Sequence, residues 1–120
     1  MRIEIKIRGF TLTAPLLEHT ERRLRFALTR TSDRIKRVVV RLGDHNGPRG
    51  GADKFCKIQV ILEHPPSIFI EDAGVDLYAV IDRAAERAGR NVAKRVERLR
   101  ADVRPAMPQP PAEAFDVSNN

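Results

Sequence analysis

Apolar and polar residues alternate strictly at the start of the chain. From Arg2 to Arg8, Ile3, Ile5 and Ile7 point one way and Arg2, Glu4, Lys6 and Arg8 the other. A period of two predicts a half-buried strand, closed by Gly9. The period then changes. Thr13 is a predicted N-cap with Pro15 in the first turn. Leu16, Leu17, Thr20, Leu24, Ala27 and Leu28 recur at helical spacing to about Arg30. Thr31 to Arg34 breaks that helix. Ile35 to Leu42 predicts a second strand, with Val38, Val40 and Leu42 on its core face. Strand, helix, strand predicts a crossover and parallel pairing of the two strands. Phe55 to Leu62 predicts a third strand, with Cys56, Ile58, Val60 and Leu62 sharing a face. His64-Pro65-Pro66 forces a turn, because proline cannot continue a ladder. Ser67 to about Asp72 is the fourth strand.

The longest pattern runs from Asp76 to Arg100 and reads as one two-faced helix with Asp76 as N-cap. Leu77, Ile81, Ala84, Ala85, Ala88, Val92, Val96 and Leu99 fall on one side at 3.6 residues per turn. Arg83, Arg87, Arg90, Lys94 and Arg98 fall on the other, within roughly 80° of arc. Glu86 and Glu97 only flank this stripe. Gly89 interrupts the helix interior at a cost near 1 kcal/mol. Two readings of it stay open, close packing against the sheet or a tolerated glycine. The element order is then β-α-β-β-β-α, an α+β fold. Its helix-covered sheet face carries Ile3, Ile5, Ile7, Val38, Val40, Leu42, Ile58 and Val60.

Composition sharpens this reading. A chain of 120 residues with 42% hydrophobic content makes one domain with one core. We place the domain at 1–104 and a disordered tail at 105–120, because four prolines fall within 105–111 and no periodic pattern follows. The formal charge is +6. Residues 83–100 hold seven basic and two acidic residues, so their net of +5 supplies most of the excess. Charge localised in this way is the footprint of an anionic partner such as nucleic acid. The alternative is an ordinary solvated helix face, but a one-sign line of charges costs helix stability. Arg22, Arg23 and Arg25, off the apolar side of the first helix, read as solubilising.

Catalytic and metal chemistry find little support. A single cysteine excludes an intrachain disulfide and points to a reducing compartment. Cys56 sits among apolar neighbours and reads as an inert buried thiol. His19, His45, His64 and Cys56 show no metal-ligand spacing. The carboxylates Glu71 and Asp72 are strand neighbours and point to opposite faces. The Gly-rich segment Gly43 to Asp53 lacks the GxxxxGK phosphate pattern and precedes a strand, so it reads as a hairpin loop. The expectation is no enzyme, no cofactor and no metal. With no apolar run near 18 residues and no signal-peptide core, a cytoplasmic protein without a membrane partner is expected.

The residues Asp76-Leu77-Tyr78-Ala79-Val80-Ile81-Asp82, the basic positions Arg87, Arg90, Lys94 and Arg98 behind them, and a first helix opening at Leu12-Thr13 and carrying Glu21-Arg22-Arg23-Leu24 together resemble the ribosome hibernation-promoting factor and ribosome-associated inhibitor family. The resemblance covers residues 1 to about 100. It implies a four-stranded sheet with both helices on one face, similar to a double-stranded-RNA-binding domain. It implies binding in the small-subunit channel near the decoding region, where tRNA and mRNA would sit, and a silent, protected ribosome in stationary or stressed cells. The partners implied are small-subunit rRNA and the assembled ribosome, with no small-molecule substrate and a free protein that is monomeric. Long members carry a second, dimerising domain after a linker; with its end at Asn120 this sequence departs from them, and a short form is expected. Two further features depart from the family pattern. The Gly43 to Asp53 loop is less basic than in relatives, and Arg83 lies where relatives often have no basic residue. Arg83 therefore rests on helical spacing alone. A general double-stranded RNA or nucleic-acid module would use the same stripe, and so would a protein-interaction module for an acidic partner.

Overall fold

The computed structural model describes residues 1–44, 54–63 and 67–103. The expected tail, most of the Gly43 to Asp53 loop and the His64-Pro65-Pro66 turn lie outside these residues. The elements run β1 (Arg2–Arg8), α1 (Ala14–Leu28), β2 (Ile35–Asp44), β3 (Lys54–Leu62), β4 (Ile68–Gly74) and α2 (Leu77–Val103). A short 3₁₀ segment, Thr29–Arg34, joins α1 to β2. The order is β-α-β-β-β-α, as the periodicities predict. β2, β4 and α2 each extend two or three residues past the predicted ends. Gly43 and Asp44 thus belong to β2, not to the loop.

Local chemistry explains where β1 ends and where the two helices begin. Gly9 takes a φ of 94° after β1, a left-handed conformation that glycine adopts without a steric penalty. The Thr13 hydroxyl oxygen accepts the Leu16 N–H at 3.3 Å, so one orphan donor of the first turn is satisfied. Leu16, Thr20, Leu24 and Leu28 then bury one face of α1. The Thr20 hydroxyl donates to the Leu16 carbonyl at 2.8 Å, which removes the cost of burying it. The Asp76 carboxylate accepts the Tyr78 N–H at 3.1 Å and caps α2.

The sheet order is β1-β2-β3-β4. β1 runs parallel to β2, and the other neighbours are antiparallel. Val38, Val40, Leu42, Cys56, Ile58, Val60, Ile68 and Ile70 form the sheet side of the core. Val80, Ile81, Ala84, Ala85, Ala88, Val92 and Val96 close it from α2. Val80 is fully buried although it lies outside the predicted apolar stripe. Ile3, Ile5 and Ile7 are on the core face as expected but only half-buried, because β1 is an edge strand. Gly89 packs against α1 and not against the sheet. A Cβ built there would stand 2.7 Å from the Ala27 carbonyl oxygen. The glycine is what lets the two helices approach.

Candidate nucleic-acid interface

α2 is 27 residues long, about 40 Å at 1.5 Å per residue. It lies against β3, β4 and α1 with its apolar face down. Its basic side runs along β4 in the opposite direction to that strand. Arg83 reaches Asp72 and the Ala73 carbonyl, while Arg87 reaches the Glu71 carbonyl. Lys94 and Arg98 lie over Ser67, Ile68 and Phe69 at the other end of β4. The five residues Arg83, Arg87, Arg90, Lys94 and Arg98 are all exposed, and they are brought into one line as the spacing predicts.

The structure divides this line in two. Arg83 Nε donates to Asp72 Oδ2 at 3.1 Å and Arg83 Nη2 to the Ala73 carbonyl at 3.3 Å. Arg87 Nη1 donates to the Glu71 carbonyl at 3.1 Å. β4 is an edge strand whose outward carbonyls would otherwise be unpaired. The two guanidiniums cap that edge. Burial alone would raise the pKa of Asp72, but the Arg83 hydrogen bond, the Ala73 N–H and the charges of Arg83 and Arg87 hold it below the usual carboxylate value. Arg83 therefore has an acidic partner that helical spacing could not reveal. Arg90 has only a loose i,i+4 contact with Glu86 at 3.8 Å. Lys94 and Arg98 form no ion pair among the described residues, and they border a groove completed by Asn91 and Arg95. Asn91 falls one turn from Arg87 and next to the stripe, so its place in the groove was open to helical counting.

A second cluster fixes the helix that carries the stripe. Asp82 Oδ1 lies 2.7 Å from His19 Nε2 and 3.1 Å from Arg23 Nε. Tyr78 meets the His19 ring at a centroid distance of 4.8 Å. Arg23 is thus half-buried and joins α1 to α2, which corrects the solubilising role expected for it. Arg22 and Arg25 are exposed as expected. Much of the Asp76 to Asp82 motif turns out to have packing work. Asp76 caps, Val80 and Ile81 are buried, and Tyr78 and Asp82 tie the helices together.

Cys56 is fully buried, and burial first, then the charge of Asp72, pushes its pKa up to about 12. That thiol is not a nucleophile at neutral pH. Among the described residues no group of three His, Cys, Asp or Glu side chains could hold a metal ion. No described helix is long and apolar enough to cross a membrane.

A family model described as Sigma 54 modulation protein / S30EA ribosomal protein matches residues 3–100. A comparison with curated proteins gives no match. Among solved structures, a ribosomal subunit interface protein from Coxiella burnetii is 19% identical, with a TM-score of 0.67 over 81% of this chain and 99% of that one. The N-terminal domain of Protein Y from Thermus thermophilus is 26% identical, with a TM-score of 0.66 over 78% of this chain and 98% of that one.

Proposed function

The chain belongs to the Sigma 54 modulation protein / S30EA ribosomal protein family, and on that premise we propose that it is a ribosome-binding inhibitor of translation. The basic side of α2 pairs with phosphates of small-subunit rRNA. The body of the domain fills the tRNA and mRNA channel near the decoding region. The mechanism is occlusion: no bond is made or broken, and the factor leaves intact when growth resumes. The setting is the cytoplasm of stationary or stressed cells, where the bound ribosome is kept inactive and protected. The name of the Coxiella burnetii structure, a ribosomal subunit interface protein, agrees with this reading. The observation that carries it is the exposed one-sign stripe. Arg90, Lys94 and Arg98 are held on one helix and, among the described residues, no carboxylate forms an ion pair with them closer than the loose Glu86 contact. A rigid row of cations meets a phosphate backbone without first giving up an internal partner.

The test is co-sedimentation with 70S particles. Replacing Arg90, Lys94 and Arg98 together with Glu removes three attractions and adds three repulsions, and should abolish pelleting while circular dichroism stays that of the native fold. Replacing Arg22, Arg25 and Arg30 should have a smaller effect. Wild-type binding should weaken with salt by roughly 0.7 to 0.9 log units per phosphate contact and log unit of salt. A folded triple-Glu protein that pellets like wild type sinks the proposal. A salt-independent wild type would point to an apolar protein–protein contact instead, because salt screens any contact made through exposed charges.

A further inference from the structure

The helix-free face of the sheet carries a second concentration of positive charge that α2 does not account for. The strand register places Lys6, Arg41, Lys57 and Glu71 in one row across all four strands. The neighbouring rows hold Arg8, Gly43, Phe55 and Ala73 on one side, and Glu4, Val39, Gln59 and Phe69 on the other. Arg2 and Arg37 follow beyond Glu4. Glu4 is occupied by Arg37 at 3.1 Å and Arg2 at 3.8 Å. Lys6, Arg8 and Arg41 are exposed and form no ion pair among the described residues. Lys57 Nζ lies 5.1 Å from the centroid of the Phe55 ring. With strands about 4.8 Å apart, the backbones of Lys6, Arg41 and Lys57 fall within about 10 Å. Lys6, Arg41 and Lys57 set side by side across strands repel, and Glu71 offsets this only at the Lys57 end of the row, so an anion lying over Lys6 and Arg41 is favoured.

Phe69 stands at the rim of this face. It is 71% exposed, whereas Val39 in the same row is 6% exposed. Its ring borders two hollows. One lies on the open face, with Val39, Arg41, Lys57 and Gln59. The other is the groove beneath Lys94 and Arg98. Among the described residues no element covers the open face.

We propose that the helix-free face of the sheet is a second RNA-binding surface, which takes a single-stranded segment with one base stacked on Phe69 and its phosphates on Arg41, Lys57 and Lys6. A free aromatic ring beside a row of cations matches a base and its phosphates, and stacking of this kind is tolerant of sequence. A duplex hides its base faces, so the ring selects unpaired RNA. Carboxylates would satisfy the cations but offer no flat ring to stack on Phe69. The inference extends the proposed function, since both surfaces take RNA and the domain would sit between two RNA segments. The cations of this second surface stand on the strands and not on α2, which packs on the opposite face of the sheet.

The test uses the full chain and fluorescein-labelled octauridylate, followed by fluorescence anisotropy at low salt and by amide shifts of the ¹⁵N-labelled protein. Phe69→Ala should weaken binding about tenfold, the loss of one base–aromatic stack. The double variant Arg41→Gln/Lys57→Gln should weaken it further and lower the salt slope by about 0.7 for each phosphate no longer neutralised. Wild-type shifts should appear at Lys6, Arg41, Lys57 and Phe69. The variant Arg90→Glu/Lys94→Glu/Arg98→Glu should lose 70S particles yet still show octauridylate shifts at Lys6, Arg41 and Lys57. Unchanged octauridylate binding in the folded Phe69 and Arg41/Lys57 variants overturns the proposal, and so do shifts confined to α2. Displacement by polyglutamate with no effect of Phe69→Ala would also overturn it, in favour of an acidic protein partner. Octauridylate bound through these residues by a protein that ignores 70S particles would uphold this surface and refute the ribosomal reading.

Discussion

Gly89→Ala puts two opposing effects on one position. In the interior of an isolated helix the change stabilises by about 1 kcal/mol, because alanine loses less backbone freedom. In this fold the new Cβ would meet the Ala27 carbonyl oxygen at 2.7 Å, the Ala27 Cβ at 3.2 Å and the Ala27 carbonyl carbon at 3.3 Å. Those are backbone atoms and a backbone-fixed methyl, so no rotamer change relieves the contact. α1 must move away from α2, and overpacking of this kind costs about 1 to 3 kcal/mol. The net expectation is a loss of up to about 2 kcal/mol. At 4 to 8 °C per kcal/mol for a domain of this size, the melting temperature should fall by several degrees. Ala93→Gly supplies the control. Ala93 is exposed on the same helix, and its replacement should cost about 1 kcal/mol from propensity alone. Thermal melts followed by circular dichroism measure both. The same displacement would disturb the His19–Asp82–Arg23 contact that orients the basic stripe, so ribosome affinity should fall alongside stability. A Gly89→Ala protein that melts higher than wild type would refute the close helix approach and the role assigned to this glycine.

Three further outcomes are expected. Val92→Ala removes fully buried methyls and should cost about 1 to 3 kcal/mol in urea denaturation, while ribosome affinity of the folded fraction stays unchanged; reduced affinity with unchanged stability would mean that the helix faces are reversed. Cys56, with its pKa near 12, should react with a thiol reagent at pH 8 about a hundredfold or more slowly in the native protein than in denaturant, and equal rates would place the thiol at the surface. Because the pKa of Asp72 is depressed in the folded state, its contact with Arg83 adds stability above the unfolded value near 3.9, and that stability is lost as pH falls through the folded value. Asp72→Asn should therefore destabilise at pH 7, by no more than about 1 kcal/mol for a half-exposed pair, and the difference from wild type should close in acid; a constant difference across pH would show that the pair carries no charge effect.

Much of the architecture was written in the spacing of apolar residues. A period of two in β1, β2 and β3 and a period of 3.6 in α1 and α2 decide which side chains must leave water, and that requirement acts within a few residues along the chain. The caps Thr13 and Asp76 were legible for the same reason, since each bonds to an N–H two or three residues on. The exposure of Arg83, Arg87, Arg90, Lys94 and Arg98 on one line follows from helix geometry alone. What pairs with what across the molecule did not follow. Arg83 meets Asp72 eleven residues away and Arg87 the Glu71 carbonyl sixteen away. His19 meets Asp82 across 63 residues, and Gly89 faces Ala27. Each of these depends on where α2 crosses the sheet and how closely it approaches α1, which is set by the summed packing of the core and not by any local pattern. The row Lys6, Arg41 and Lys57 was hidden likewise, because alternation shows which residues face outward but only strand register decides which of them stand side by side. The chain by itself determined the elements and their faces. The tertiary structure decided which of the basic residues cap an edge strand and which remain open to a partner.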